Sequence, residues 1–255
     1  MKVRDALSIL NGMFPPEQAE SYDNVGLLCG HPDAPVTGIL CALDLTEGVI
    51  DEALEKGAQL VVTHHPILFH ARKNLREDDS EGRLLARLIR SRLSLIAAHT
   101  NYDNAPDGVN DQLAAALGLV NVQALANGLR VGELPREMNV RELTEHVGKS
   151  LCAVVRPYCA CDTAVRRVAV CGGAGSEFYP LALAAGAQAY VTGEVHHHDA
   201  LAAVAENLAV LEAGHYETEQ IAIKSLANRL QSAANALQYK VTVMESAERP
   251  FARPY

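Results

Sequence analysis

The segment GHYETE sets His215 and Glu219 four residues apart, a spacing that puts both side chains on one face of a helix and lets them reach a single point. An imidazole and a carboxylate so placed suit a metal ion. His64 and His65 are adjacent in VTHHP, where a strand that ends and turns can offer each ring to a different ion, and Asp103 in HTNYD adds a carboxylate able to bridge. Three imidazoles and two carboxylates are too few to close two four-coordinate sites unless carboxylates are shared. Such a centre keeps positions open to water or substrate, which fits chemistry better than scaffolding. Each feature also has a plainer explanation. A lone His at a strand end is usually structural, and an i, i+4 His–Glu pair is usually a surface pair on a helix. The run His196, His197, His198 reads equally as a solvated helix start, and Asn24 and Gly26 in DNVG as an ordinary turn.

The elements that must position these residues alternate short apolar runs with helical stretches, which predicts an α/β fold of mixed sheets flanked by helices. The N-terminal MKVRDALSILNGMF has helical spacing and no uninterrupted apolar core, and reads as an amphipathic helix of the mature chain. Residues 36–43 read as a strand, Thr46 caps a helix running to Lys56, Gly57 stops it, and residues 59–63 form the next strand. Ser80, preceded by Asp78 and Asp79, opens a helix ending near Arg92, followed by a strand at 93–98. Asn139 and Glu142 stand in capping-box spacing ahead of a helix that leads to residue 151.

There the pattern restarts. EALEKGAQLVVTHH (52–65) aligns without gaps, at an offset of 129, on LALAAGAQAYVTGE (181–194), and LSLIAAH ending at His99 resembles LAVLEAGH ending at His215. An internal duplication is therefore expected: a first α/β lobe over 1–126, a short connecting segment with one helix over 127–165, and a second lobe with a C-terminal helix and strand over 166–255. In open α/β sheets ligands collect beyond the carboxyl ends of the strands. Eight of the ten histidines fall in or beside those tips.

Composition bounds the function. The chain has 255 residues, 49% apolar and 21% charged, enough for one large domain or two small lobes. A net charge of −9, with 22 Lys and Arg scattered along the chain, argues against a nucleic-acid footprint. No apolar stretch reaches the roughly 18 residues needed to cross a bilayer. The six cysteines form no CxxC pair and several lie in strand-like runs, which predicts buried, reduced thiols and a cytoplasmic protein.

SYDNVGLLCG (21–30), VTHHPILF (62–69), HTNYDNAPDGVND (99–111), RRVAVCGGAG (166–175), VTGEVHHHDA (191–200) and EAGHYETE (212–219) resemble, in order, the signature segments of the NIF-three-like family. Bacterial members are often labelled homologues of the type 2 form of GTP cyclohydrolase I. The resemblance covers nearly the whole chain. It implies two related α/β lobes, a toroidal homohexamer, and two divalent ions (zinc, iron or manganese) in each subunit, facing the inner cavity. It carries the ligand roles to His64, His65, Asp103, His215 and Glu219, and makes His99 and His198 pocket residues able to shuttle protons. Longer relatives carry an extra domain between the halves, and this chain looks like the short form. Two functions follow from that likeness. One is a metal-dependent hydrolase acting on a nucleotide or phosphoester-like small molecule; the alternative is a non-enzymatic metal-handling or regulatory hexamer that binds protein partners. No Walker-type phosphate loop is present, and GGAGS at 172–176 reads as a helix cap.

Overall fold

The recurring GAQ triplet has one structural task in each half. In the computed structural model, which describes residues 1–251, Gln59 Oε1 accepts the backbone N–H groups of Thr37 and Gly38 at 2.8 and 3.1 Å. Gln188 Oε1 accepts those of Arg166 and Arg167 at 2.9 and 3.0 Å, the same positions shifted by 129. The glycine before each one ends a helix in the left-handed region, with φ of +65° at Gly57 and +75° at Gly186. The triplet thus stops a helix and clamps the start of the neighbouring strand with one side chain.

The chain forms two units, Met1–Tyr102 with the stretch from Ile223, and Asp103–Ala222. The first carries α1 (Val3–Met13), β1 (Gly26–Cys29), β2 (Gly38–Ala42), α2 (Glu47–Glu55), β3 (Leu60–Thr63), α3 (Ser80–Arg90) and β4 (Ser94–Ala97). After α4 (Thr100–Asn104) the second carries α5 (Val109–Ala116), β5 (Val120–Ala124), β6 (Arg130–Asn139), α6 (Val140–Leu151), β7 (Arg156–Tyr158) and β8 (Ala164–Cys171). It continues with α7 (Tyr179–Ala184), β9 (Ala189–Thr192), α8 (His197–Ala205), β10 (Ala209–Glu212) and α9 (His215–Glu219). Then come α10 (Ile221–Ala236) and β11 (Thr242–Glu245).

The first sheet has the order β1-β4-β3-β2-β11 and the second β5-β6-β8-β9-β10-β7. In each, three parallel strands (β2, β3, β4 and β8, β9, β10) are followed by an antiparallel strand, β1 beside β4 and β7 beside β10. The parallel strands end in register. Ala42 pairs with Thr63 and Thr63 with Ala97, while Cys171 pairs with Thr192 and Thr192 with Glu212. Residues just past these positions therefore gather along one edge of each sheet.

Parallel strands are buried on both faces and read as continuous apolar runs. In the second sheet Val168, Val170, Val191 and Leu211 pack on one side with Leu143 and Val147 of α6, and Ala169, Tyr190 and Val210 on the other with Ala203 of α8. In the first, Leu40, Val61 and Leu95 meet Val49, Ile50 and Leu88 of α2 and α3. Each of the Val, Leu and Ile side chains among them, fully buried, contributes about 1.5–3 kcal/mol. Caps close the helices where expected, with Thr46 Oγ1 accepting from Val49 N and a complete Asn139–Glu142 capping box, and α3 opens at Ser80 with Asp79 as its cap.

The units part from the expected boundaries in two places. The C-terminal strand joins the first sheet, because β11 completes the open edge of β2 in parallel register from Thr242–Gly38 to Glu245–Cys41. Residues 127–165 are more than a connector with one helix, since β6 and β7 belong to the second sheet. Pro135 lies in β6 where residues 135–137 are exposed in a row and the β6–β8 register shifts between Glu133 and Met138.

None of the six cysteines is in a disulfide. Cys41 and Cys171 are buried, and burial pushes each thiol up to about 12. Cys152, Cys159 and Cys161 are exposed, against the expectation of buried thiols, because they lie at a helix end and in a loop rather than in strands. Among the described residues no helix is long and apolar enough to cross a membrane.

Candidate metal centre

The first unit gathers three imidazoles past its strand ends. His64 and His65 continue the β3 ladder, their N–H groups donating to the carbonyls of Ala42 and Leu43. The Thr63 hydroxyl then donates to the His65 carbonyl at 2.8 Å and turns the chain, so that the adjacent rings come to 4.9 Å between centroids. His64, His65 and His99 each present a ligand atom within 4.8 Å of the others.

All three rings are held in one tautomer. Nδ1 of His64 lies 2.9 Å from the Ala98 carbonyl, Nδ1 of His65 2.7 Å from Asp44 Oδ1, and Nδ1 of His99 2.8 Å from Asp23 Oδ1. Carbonyls and carboxylates only accept, so each Nδ1 carries the proton and each Nε2 keeps the lone pair a metal takes. Asp23 is itself fixed: its side chain is covered, and Thr100 donates to it from N–H and Oγ. Burial works against the charged form of Asp23, but the hydrogen bonds from His99 and Thr100 outweigh it and hold the carboxyl far below the usual range.

The second unit pairs one imidazole with two carboxylates. His215 Nδ1 lies 2.6 Å from Glu194 Oε1, and its Nε2 lies 3.1 Å from Oε2 of Glu219, which is buried. A neutral imidazole has a single N–H. Nδ1 and Nε2 thus face two carboxylates with that one proton between them, and a second proton or a metal cation on Nε2 completes the 3.1 Å contact with Oε2. Gly173 makes room for this pair of side chains: a Cβ there would stand 2.2 Å from Glu219 Oε1 and 3.2 Å from His215 Nε2. The GGAGS segment therefore leaves space beside an acid–imidazole pair, beyond the capping role its sequence suggests.

Asp103 is half-buried at the start of this unit. Its charge and that of Glu219 both reach the buried Cys171 thiol and add to the effect of burial in raising it. Asp103 belongs to no ligand-spaced group of three among the described residues. His198 lies exposed in the first turn of α8, its ring 5.5 Å from that of His197, and joins no such group either. His99, expected as a proton shuttle, is within ligand spacing of His64 and His65.

Three residues of the site escape the sequence reading: Asp23, Asp44 and Glu194. Two carried a signal. Asp44 lies two residues past the end of β2, the kind of strand tip where the other site residues cluster, and Glu194 is the 129-residue counterpart of His65. Asp23 sits in a loop ahead of β1, and nothing in its spacing ties it to His99.

The profile of the Duf34/NIF3 (NGG1p interacting factor 3) family matches residues 1–250. A Clostridium acetobutylicum protein named GTP cyclohydrolase 1 type 2 homolog is 32% identical over 256 residues, covering 96% of both chains. A Streptomyces coelicolor protein of the same name is 37% identical over 232 residues, covering 86% of this chain and 81% of its own. Among solved structures, the Bacillus cereus protein related to NIF3 superposes with a TM-score of 0.94 at 25% identity, covering 99% of each chain. A profile match over nearly the whole length, relatives above 30% identity and a shared architecture agree: the chain belongs to the Duf34/NIF3 family.

Proposed function

We propose that His64, His65, Asp103, His215 and Glu219 hold two divalent cations and that the protein is a metal-dependent hydrolase of a nucleotide or phosphoester-like small molecule. The observation that carries this reading is His215 bracketed by Glu194 and Glu219, an acid–imidazole–acid row with one N–H to share. The three Nε2 lone pairs of the first unit support it. When bound, such ions supply Lewis acidity and lower the pKa of water. His64 and His65 keep their ligand nitrogens aimed through Ala98 and Asp44. His99, oriented by Asp23, has Nε2 with which to accept and return a proton. The acidic balance of the chain, −9, offers a polyphosphate no general attraction, so metal rather than basic side chains would hold an anionic group. Assembly as a cytoplasmic homohexamer forms part of the same reading and is tested by sedimentation.

The function is tested by restoring zinc, iron or manganese to the purified protein and incubating it with GTP and a panel of phosphoesters. Metal-dependent turnover that is lost in His64→Ala and in Glu219→Ala supports the hydrolase. Tight stoichiometric metal uptake without turnover across the panel favours the non-enzymatic, metal-handling alternative instead.

A further inference from the structure

Two aromatic rings stand together at the surface, one of them beside His99. Tyr22 is 63% exposed and Phe69 37% exposed, with ring centroids 6.2 Å apart at 72°. Phe69 also meets the His99 ring edge-on at 5.9 Å. The loops carrying them are fastened to the site. Tyr22 precedes Asp23, which holds His99, and Asn24 Nδ2 donates at 2.7 Å to the carbonyl of Leu68, the residue before Phe69. The DNVG segment, which reads as an ordinary turn, thus ties the two aromatic loops to each other. Exposed rings held rigid offer large contact area at little ordering cost.

We propose that Tyr22 and Phe69 form a stacking platform for a planar aromatic heterocycle, which turns its polar edge toward His99. A ring lying on one of the two faces meets the edge of the other, the geometry aromatic groups favour, and stacking of this kind tolerates any flat heterocycle. Such a platform deepens the metal-site reading and rests on it for the reason a ring belongs there. Stacking itself needs no ion, so it is measured on metal-free protein.

The chain has no Trp, so Tyr22→Trp keeps an aromatic face and introduces a single indole reporter. The metal-free variant is titrated with guanosine, adenosine and pterin, and with ribose 5-phosphate as a non-aromatic control. At least one of the three rings is expected to quench the indole saturably, and ribose 5-phosphate is not. Adding Phe69→Ala is expected to weaken that binding at least tenfold, and Phe69→Tyr to preserve it. Zinc uptake measured in parallel stays at the parent level in all of these variants, which separates loss of the platform from loss of the metal site. Absence of quenching by every ring, equal quenching by ribose 5-phosphate, or unchanged affinity in the Phe69→Ala background overturns the platform.

Discussion

Glu194 holds His215 by a 2.6 Å contact from Oε1 to Nδ1, and it occupies in the second half the position that His65 occupies in the first, 129 residues earlier. One half spends this strand tip on an imidazole; the other spends it on the carboxylate that orients one. Partners of this kind set both the tautomer and the basicity of a ligating ring.

Glu194→Ala is therefore expected to weaken zinc binding about 10–100-fold without unfolding the protein. Glu194→Gln, whose amide oxygen can still accept from Nδ1–H, should lie between that variant and the parent. Competition with a chromophoric chelator reads the constants. Equal affinity in all three proteins would show that Glu194 does not orient His215.

Gln59 and Gln188 make the same clamp in the two sheets, each accepting two strand N–H groups. Alanine at either position hands these largely exposed donors to water and should cost about 0.5–1.5 kcal/mol of stability in urea denaturation. Because the clamps are chemically alike, the two losses should be similar. A neutral effect at both positions would remove the clamp as the reason for the repeated triplet.

Glu52 ties down the chain after β11 by accepting from Ser246 Oγ, from Ala247 N at 2.9 Å and from Lys56. Partial burial opposes its charge, but the Ala247, Lys56 and Ser246 hydrogen bonds outweigh that and lower the carboxyl from its usual value. A lowered folded value means the contribution is complete above the ordinary glutamate range near about pH 4–5 and disappears as pH falls through the lowered value. The stability gap between the parent and Glu52→Gln should thus be wider at neutral pH than at acid pH, as followed by denaturation at each. A gap that widens on acidification contradicts the assignment.

Much of this architecture is legible in the sequence because its signals are local. Thr46, Gly57 and the Asn139–Glu142 box mark helix ends by hydrogen bonds within a few residues, and the apolar runs of β3, β4 and β9 are buried on both faces. The repeat at offset 129 is legible for the same reason, since each GAQ acts within its own unit. What stays hidden is non-local. The return of β11 to β2 depends on an open sheet edge near the other end of the chain, and the pairing of Asp23 with His99 joins residues 76 apart. The candidate ligands His64, His65, His215 and Glu219 could be named from spacing at strand tips; of the carboxylates that orient a ring, Asp44 and Glu194 show only in their place at a strand tip and in the repeat, and Asp23 shows in neither.

Metal content measures most directly whether these side chains bind metal. Protein stripped with chelator, reloaded with zinc and passed through a desalting column should retain two equivalents per chain by elemental analysis, with Glu219→Ala and Asp103→Ala each losing at least one. Retention of less than one equivalent by the parent, or full retention by both variants, would contradict the account.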